Sequence, residues 1–211
     1  MRKMYKTLVV AVIAVASMLP QKEAKAQAME QGNVGIDAYY GAVSFSKALW
    51  EALADAYTGE KKSTYFGAIG GRFEYMVSDK IGVGFDFNYT KMTLEVSDTD
   101  TNYSTTPPSL QTYTYNWERT IIRAMPRFNI HFGGNESFDG YFGVGVGYRS
   151  AKSTFSDNNP NNVDETVEGL SPVAMRIAIG GKYYFTDNIG INLEMGIGGG
   201  NLIHGGLSVK F

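Results

Sequence analysis

The 211-residue chain has no cysteine, only two histidines and two tryptophans, and six prolines. Without cysteine no disulfide can staple the fold and no N-terminal lipid can be attached, so stability has to come from packing and hydrogen bonds. Charge is sparse at 19% of residues, and the mean hydropathy is −0.18. A multi-span helical membrane protein is thereby excluded, and 44% hydrophobic residues exclude a disordered chain. Long apolar runs are missing too, with one exception near the N-terminus. What the chain has in quantity is glycine (25), together with 14 tyrosines and 12 phenylalanines. A small closed β-barrel uses both.

The exception is a targeting segment. Arg2, Lys3 and Lys6 precede the apolar stretch Thr7–Leu19, which is too short to span comfortably as a helix, and Ala24-Lys25-Ala26 forms an A-x-A cleavage signature. Residues 1–26 are therefore expected to be a cleaved signal peptide, and residues 27–211 the mature domain. Cleavage removes five Lys/Arg and one Glu, which moves the formal net charge from −2 to −6. An exported acidic chain is not a nucleic-acid binder.

From Gln27 onward the pattern has period two throughout. Eight strands are predicted: Val34–Val43, Thr64–Val77, Ile81–Val96, Tyr113–Phe132, Tyr141–Ala151, Val173–Phe185, Ile189–Gly198 and Leu202–Phe211. Met76–Phe87 and Tyr184–Met195 echo each other position by position, as a repeated hairpin does. Short turns such as Ser78-Asp79-Lys80 and Thr186-Asp187-Asn188 alternate with long connections after the first, third and fifth strands. Short periplasmic turns and longer outer loops are the arrangement of bacterial outer-membrane barrels.

Two faces alternate along these strands. One is apolar and carries Ile36, Phe73, Phe85, Phe128, Val144, Ile177, Ile191 and Leu207 among others. The other combines glycines with charge: Asp37, Arg72, Glu74, Asp86, Arg123, Arg127, Arg149, Arg176, Lys182, Glu194 and Lys210. A water-facing surface gains nothing from many glycines, which weaken strands, whereas a narrow eight-stranded lumen needs small residues beside its charged ones. The charged face is therefore expected to point inward and the apolar face toward lipid. Tyr40, Tyr65, Tyr89 and Tyr148 near the long loops, and Tyr75, Phe132, Phe142, Phe185 and Phe211 near the short turns, form two aromatic belts. The expected fold is all-β, an eight-stranded antiparallel up-and-down transmembrane β-barrel in the outer membrane.

The last eight residues carry a polar His204, then Gly206, then Val209 and a terminal Phe211. They resemble the C-terminal β-signal read by the barrel assembly machinery. Residues 33–211 resemble the small outer-membrane β-barrel family of OmpX and the OmpA barrel, and the Tyr184–Gly190 hairpin is similar in style to versions from Bacteroidota. The resemblance implies a fold, a location, and outer-membrane lipid and the assembly machinery as partners. It does not imply an activity.

Candidate functional features are few. The inward charges form either a polar plug or, with seven cations against four anions, an anion-leaning conduit. Phe45, Leu49, Leu53 and Tyr57, with Trp50, lie at helical spacing and predict an amphipathic helix over Ser46–Thr58, which either caps the barrel mouth or contacts lipid or a partner. The apolar pattern changes face near Lys91, so that Met92, Leu94 and Val96 fall on the charged side. With Tyr113, Tyr115 and Trp117 they predict a hairpin projecting beyond the membrane, or a bulge. Asp157–Asn162 is rich in oxygen but lacks the spacing of a Ca²⁺ loop, and no cofactor or metal signature appears. His131 and His204 have no neighbouring nucleophile, so no enzyme is expected. The expected role is surface interaction, adhesion or envelope integrity through the outer loops, with an extracellular partner. The alternative is a narrow channel or transporter for small solutes or ions.

Overall fold

The computed structural model describes residues 28–54, 59–102, 106–158 and 163–211. The expected signal peptide, Tyr57 and residues 159–162 lie outside the described residues, as do the side chains of Trp50 and Leu53. The elements are β1 (Val34–Gly41), α1 (Phe45–Ala54), β2 (Glu60–Ser78), β3 (Ile81–Asn102), β4 (Ser109–Gly134), β5 (Phe138–Asp157), β6 (Glu165–Glu168), β7 (Val173–Tyr184), β8 (Ile189–Gly198) and β9 (Ile203–Lys210).

Eight strands close into a ring. β1 pairs with β2 on one side and β9 on the other, β5 pairs directly with β7, and every pairing is antiparallel. The sequence did not predict β6. It is four residues long, lies outside the ring and pairs with the upper part of β5, from Lys152↔Glu168 to Phe155↔Glu165. The tight turns work as their composition predicts: at Thr186-Asp187-Asn188 the Thr186 hydroxyl accepts from the Ile189 N–H at 2.9 Å.

The wall is uneven in height. A membrane-crossing strand needs about ten residues. β1, β8 and β9 have 8, 10 and 8 residues, whereas β3, β4 and β5 have 22, 26 and 20. One side of the barrel therefore continues outward as a projecting sheet. The β3–β4 pairing runs from Ile81↔Ile130 to Asn102↔Ser109 without a break. At Lys91 the apolar pattern changes face and the backbone does not: Asp86, Asn88, Thr90, Met92, Leu94 and Val96 are all buried on the inner side. The bulge lies instead in β2, between Phe66 and Ile69. It turns Tyr65 inward, where its hydroxyl donates to Asn201 Oδ1 at 2.6 Å, so the upper belt holds Phe66 in place of the expected Tyr65. Pro126, midway along β4, faces outward and has no N–H for the ladder; β4–β5 pairing lapses between Ala124↔Tyr148 and Arg127↔Gly145 and resumes in the same register.

α1 starts after Ser44, whose hydroxyl accepts from the Lys47 N–H at 3.2 Å, as a cap does. The described part of its apolar side does not cap the barrel. Phe45 and Leu49 are exposed, and Lys47 is the residue that turns inward, 5.9 Å from the centre of the Tyr65 ring.

Inward glycines leave room for large neighbours. A Cβ at Gly180 would stand 2.5 Å from the Tyr141 ring, and one at Gly143 would meet the Arg127 guanidinium. Gly205 faces outward, and its Cβ would make only ordinary contact with Leu193 at 3.6 Å. Gly180→Val should destabilise the barrel by about 1–3 kcal/mol by overpacking, while Gly205→Ala should be close to neutral. Urea unfolding in detergent micelles measures both, and equal costs would contradict the crowded-lumen account.

Candidate functional site

Period-two alternation sends the charged side chains of seven strands to one axis, where no bulk water can solvate them. They solvate one another. Glu194 on β8, with no exposure, is the hub: Arg176 Nε donates to it at 2.6 Å, Arg127 Nη2 at 2.8 Å, the Tyr141 hydroxyl at 2.9 Å, and Arg72 Nη1 also pairs with it. Arg127 Nη1 also reaches Asp86 Oδ2 at 3.2 Å, and the Tyr39 hydroxyl donates to Asp86 Oδ1 at 2.6 Å. Lys182 joins Glu74 Oε2 at 3.0 Å to Asp37 Oδ1 at 3.4 Å, and Arg72 Nε lies 3.5 Å from Asp37 Oδ2. Below them His131 sits between Glu74 Oε1 at 2.9 Å and Asp139 Oδ2 at 2.8 Å. Four cations, Arg72, Arg127, Arg176 and Lys182, thus face Asp37, Glu74, Asp86 and Glu194 in one network, and partners of this kind make burial of the charges tolerable.

Both ends of this network are covered. At the periplasmic end Met29 is fully buried with Ala28, Met76 and Tyr184, and Lys210 donates to the Ala28 carbonyl at 2.6 Å. At the outer end the β8–β9 turn folds in over the lumen. Gly199 and Gly200 take φ of +54° and +129°, which glycine tolerates, and this lets Asn201 reach the Ala42 carbonyl at 2.9 Å and its own carbonyl accept from Arg176 at 3.0 Å. Asn88 donates to the Gly199 carbonyl from below at 3.1 Å.

The eleven inward charges anticipated from sequence thus divide into groups. Eight meet in the central network. Lys210 belongs to the periplasmic stopper. Arg123 and Arg149 face each other across β4 and β5 near the outer mouth, apart from the carboxylates. Of the four residues expected from sequence to form a β-signal, His204 is buried and stacked on Tyr39 with ring centres 4.4 Å apart. Gly206 lies opposite Tyr39, Val209 opposite Ile36, and Phe211 is exposed at the lipid-facing edge. Neither ring nitrogen of His204 has a hydrogen-bond partner; its Nδ1 is 3.8 Å from Glu194, beyond hydrogen-bond reach.

Outside this interior, the wall presents Ile36, Phe73, Phe85, Phe128, Ile179, Met195 and Leu207, each about 40–60% exposed. An apolar belt around a charged interior inverts the order of a water-soluble barrel. Residues 8–210 match the outer membrane protein beta-barrel domain. The chain belongs to this family. It is an outer-membrane barrel, and its belt faces membrane lipid. No curated protein matches its sequence. Among solved structures the chain is similar to the outer membrane protein OprG of Pseudomonas aeruginosa (15% identity, 89% of this chain and 99% of that one, TM-score 0.46). It is also similar to Ail, the attachment invasion locus protein of Yersinia pestis (13%, 86% and 99%, 0.44), and to the N-terminal β-barrel domain of Pseudomonas aeruginosa OprF (17%, 87% and 100%, 0.41).

The outer-membrane barrel uses interior residues that sequence reasoning passed over. Tyr39, Tyr141 and Tyr184 share the inward parity of Asp37, Gly143 and Lys182, which was signal enough to find them. Asp139 escaped because the fifth strand was expected to begin at Tyr141; β5 begins at Phe138.

Proposed function

We propose that this is a non-conducting, non-enzymatic barrel that serves as a base for its projecting sheet, and that the sheet makes contacts at the cell surface. The observation that carries the reading is the height of β3 and β4, about twice what the membrane requires. On the inner face of the sheet Leu94 and Val96 pack against Trp117, with Met92 buried on the same face, and Trp117 meets Phe155 with ring centres 5.2 Å apart. Lys91 and Glu118 pair at 2.8 Å on the outer face. A rigid sheet with an aromatic inner face is suited to holding a partner. The filled lumen, with its charge-balanced central network, argues against conduction. Each histidine is held by carboxylates or stacked on tyrosine, with no hydroxyl nucleophile bonded to it among the described residues. The mature chain is proposed to begin at Gln27, which leaves Ala28 and Met29 to close the periplasmic end. His204, Gly206, Val209 and Phe211 are proposed to serve the assembly machinery before they are enclosed.

Replacing residues 98–113 by a two-residue turn removes the tip of the β3–β4 hairpin and leaves the membrane ring intact. Cells expressing this variant should lose surface attachment, and purified full-length protein in planar bilayers should show no stable single-channel steps. Unchanged attachment would overturn the contact role, and steady conductance would overturn the plug.

A further inference from the structure

The central network balances its charges; the outer mouth does not. Arg119, Arg123 and Arg149 point inward from β4 and β5 just outside the Gly199–Asn201 turn, and none of the three forms an ion pair with any carboxylate among the described residues. Arg123 and Arg149 are directly opposite each other, an arrangement of like charges that destabilises a strand pair. Arg123 is 9% exposed, and the one hydrogen bond of its guanidinium among the described residues runs from Nη1 to Asn88 Oδ1 at 3.1 Å. The Nε atoms of Arg119 and Arg149 are buried with no hydrogen-bond partner among the described residues. Burial and the Arg149 guanidinium both hold the Arg119 pKa below the usual arginine value, as expected where cations lack a counter-charge. The nearby Glu118 is on the outer face and already engaged by Lys91.

We propose that Arg119, Arg123 and Arg149 form a binding site for a phosphate or sulfate group that enters from the extracellular side. Guanidinium groups suit tetrahedral oxyanions because they offer paired N–H donors in a plane, and the site's unpaired donors supply several. Asn88 and the Gly199–Asn201 turn lie between it and the central network, Asn88 touching Arg123 on one side and the Gly199 carbonyl on the other, so the anion is held at the mouth and does not pass through. The cleft that contains Arg119 is also lined by Lys47, Tyr65, Met92, Leu94 and Trp117, which gives the anion's carrier an apolar and aromatic wall to rest on. The anionic group can come from a soluble polyanion or from a lipid headgroup.

Trp117 is two residues from Arg119 and shares its cleft, so its emission reports on occupancy once Trp50→Phe removes the other tryptophan. The full-length protein, folded in neutral detergent, is titrated with tripolyphosphate and with inorganic sulfate. A second arm adds an anionic phospholipid to the micelles without soluble anion. A saturable emission change is expected in at least one arm, and the arm that responds identifies the source. Arg123→Gln and Arg149→Gln should each weaken the apparent Kd about tenfold, as loss of one charge-assisted contact does. Lys152→Gln removes a positive charge beside the site but on the outer face and should leave binding unchanged. Heat-modifiable gel migration verifies that each variant has formed its barrel. Absence of saturation in both arms would overturn the site, as would equal binding by the Arg123→Gln/Arg149→Gln double variant or an equal loss in Lys152→Gln.

Discussion

Glu194→Gln is expected to destabilise the folded barrel by about 3–5 kcal/mol, the cost of removing one partner from a buried ionic cluster. The substitution preserves shape and removes only charge. It leaves four buried cations, Arg72, Arg127, Arg176 and Lys182, against the three carboxylates of Asp37, Glu74 and Asp86. Arg176 is affected most, because among the described residues Glu194 is its only anionic partner and its remaining bonds go to the carbonyls of Gly198 and Asn201. The measurement is the urea midpoint in detergent micelles, followed by the shift between folded and unfolded bands on an unboiled gel. Arg176→Met added to Glu194→Gln should recover part of the loss, since removing both partners of a buried pair costs less than stranding one. A change below about 0.5 kcal/mol in the single variant would show that Glu194 is not the hub the distances imply.

What could be read from sequence, and what could not, follows from how far each feature depends on distant pairing. The ring of eight was legible because period-two alternation is local, and so is the turn chemistry of Thr186-Asp187-Asn188. The inward placement of Asp37, Arg72, Glu74 and Glu194 was equally local. Their convergence was not: Arg72 meets Glu194 across 122 positions of sequence, and the meeting depends on how β1 and β9 close the seam. Tyr65 was misplaced because the bulge at Gly67-Ala68 inverts parity, and in a segment that also holds Gly70 and Gly71 one glycine does not mark where the inversion falls. β4 and β5 run longer than expected because their outermost parts, residues 109–112 and 152–157, are mostly polar and lack the lipid-facing apolar alternation that marked their lower halves. β6 is four residues of mixed polarity that pair only because β5 continues past the membrane. The helix at Phe45–Ala54 was anticipated from its spacing, but spacing does not show which way an apolar stripe turns, and its described members Phe45 and Leu49 turn outward. His204 was recognised only as part of a C-terminal pattern; its stacking on Tyr39 depends on the β1–β9 register.

The second large effect tests the lipid-facing surface. Ile179 is midway along β7, 55% exposed, between Phe142 on β5 and Met195 on β8, both of which also face outward. Ile179→Arg places a guanidinium near the bilayer midplane and should cost about 2–4 kcal/mol in a lipid bilayer. Val167 in β6 is 57% exposed, almost the same, yet it lies on the projecting sheet beyond the membrane; Val167→Arg should change stability by less than about 0.5 kcal/mol. Equal exposure with unequal cost is possible only if the two positions face different solvents. In water, either arginine would be accommodated by hydration, and the pair would behave alike. Arg176 sharpens the contrast, because three positions earlier on the same strand an arginine is fully buried and bound to Glu194. The same side chain is required on one face of β7 and excluded from the other. Urea titration of the two variants in phospholipid vesicles, read by gel migration, measures the difference, and a gap smaller than about 1 kcal/mol would be inconsistent with Ile179 lying at the hydrocarbon midplane.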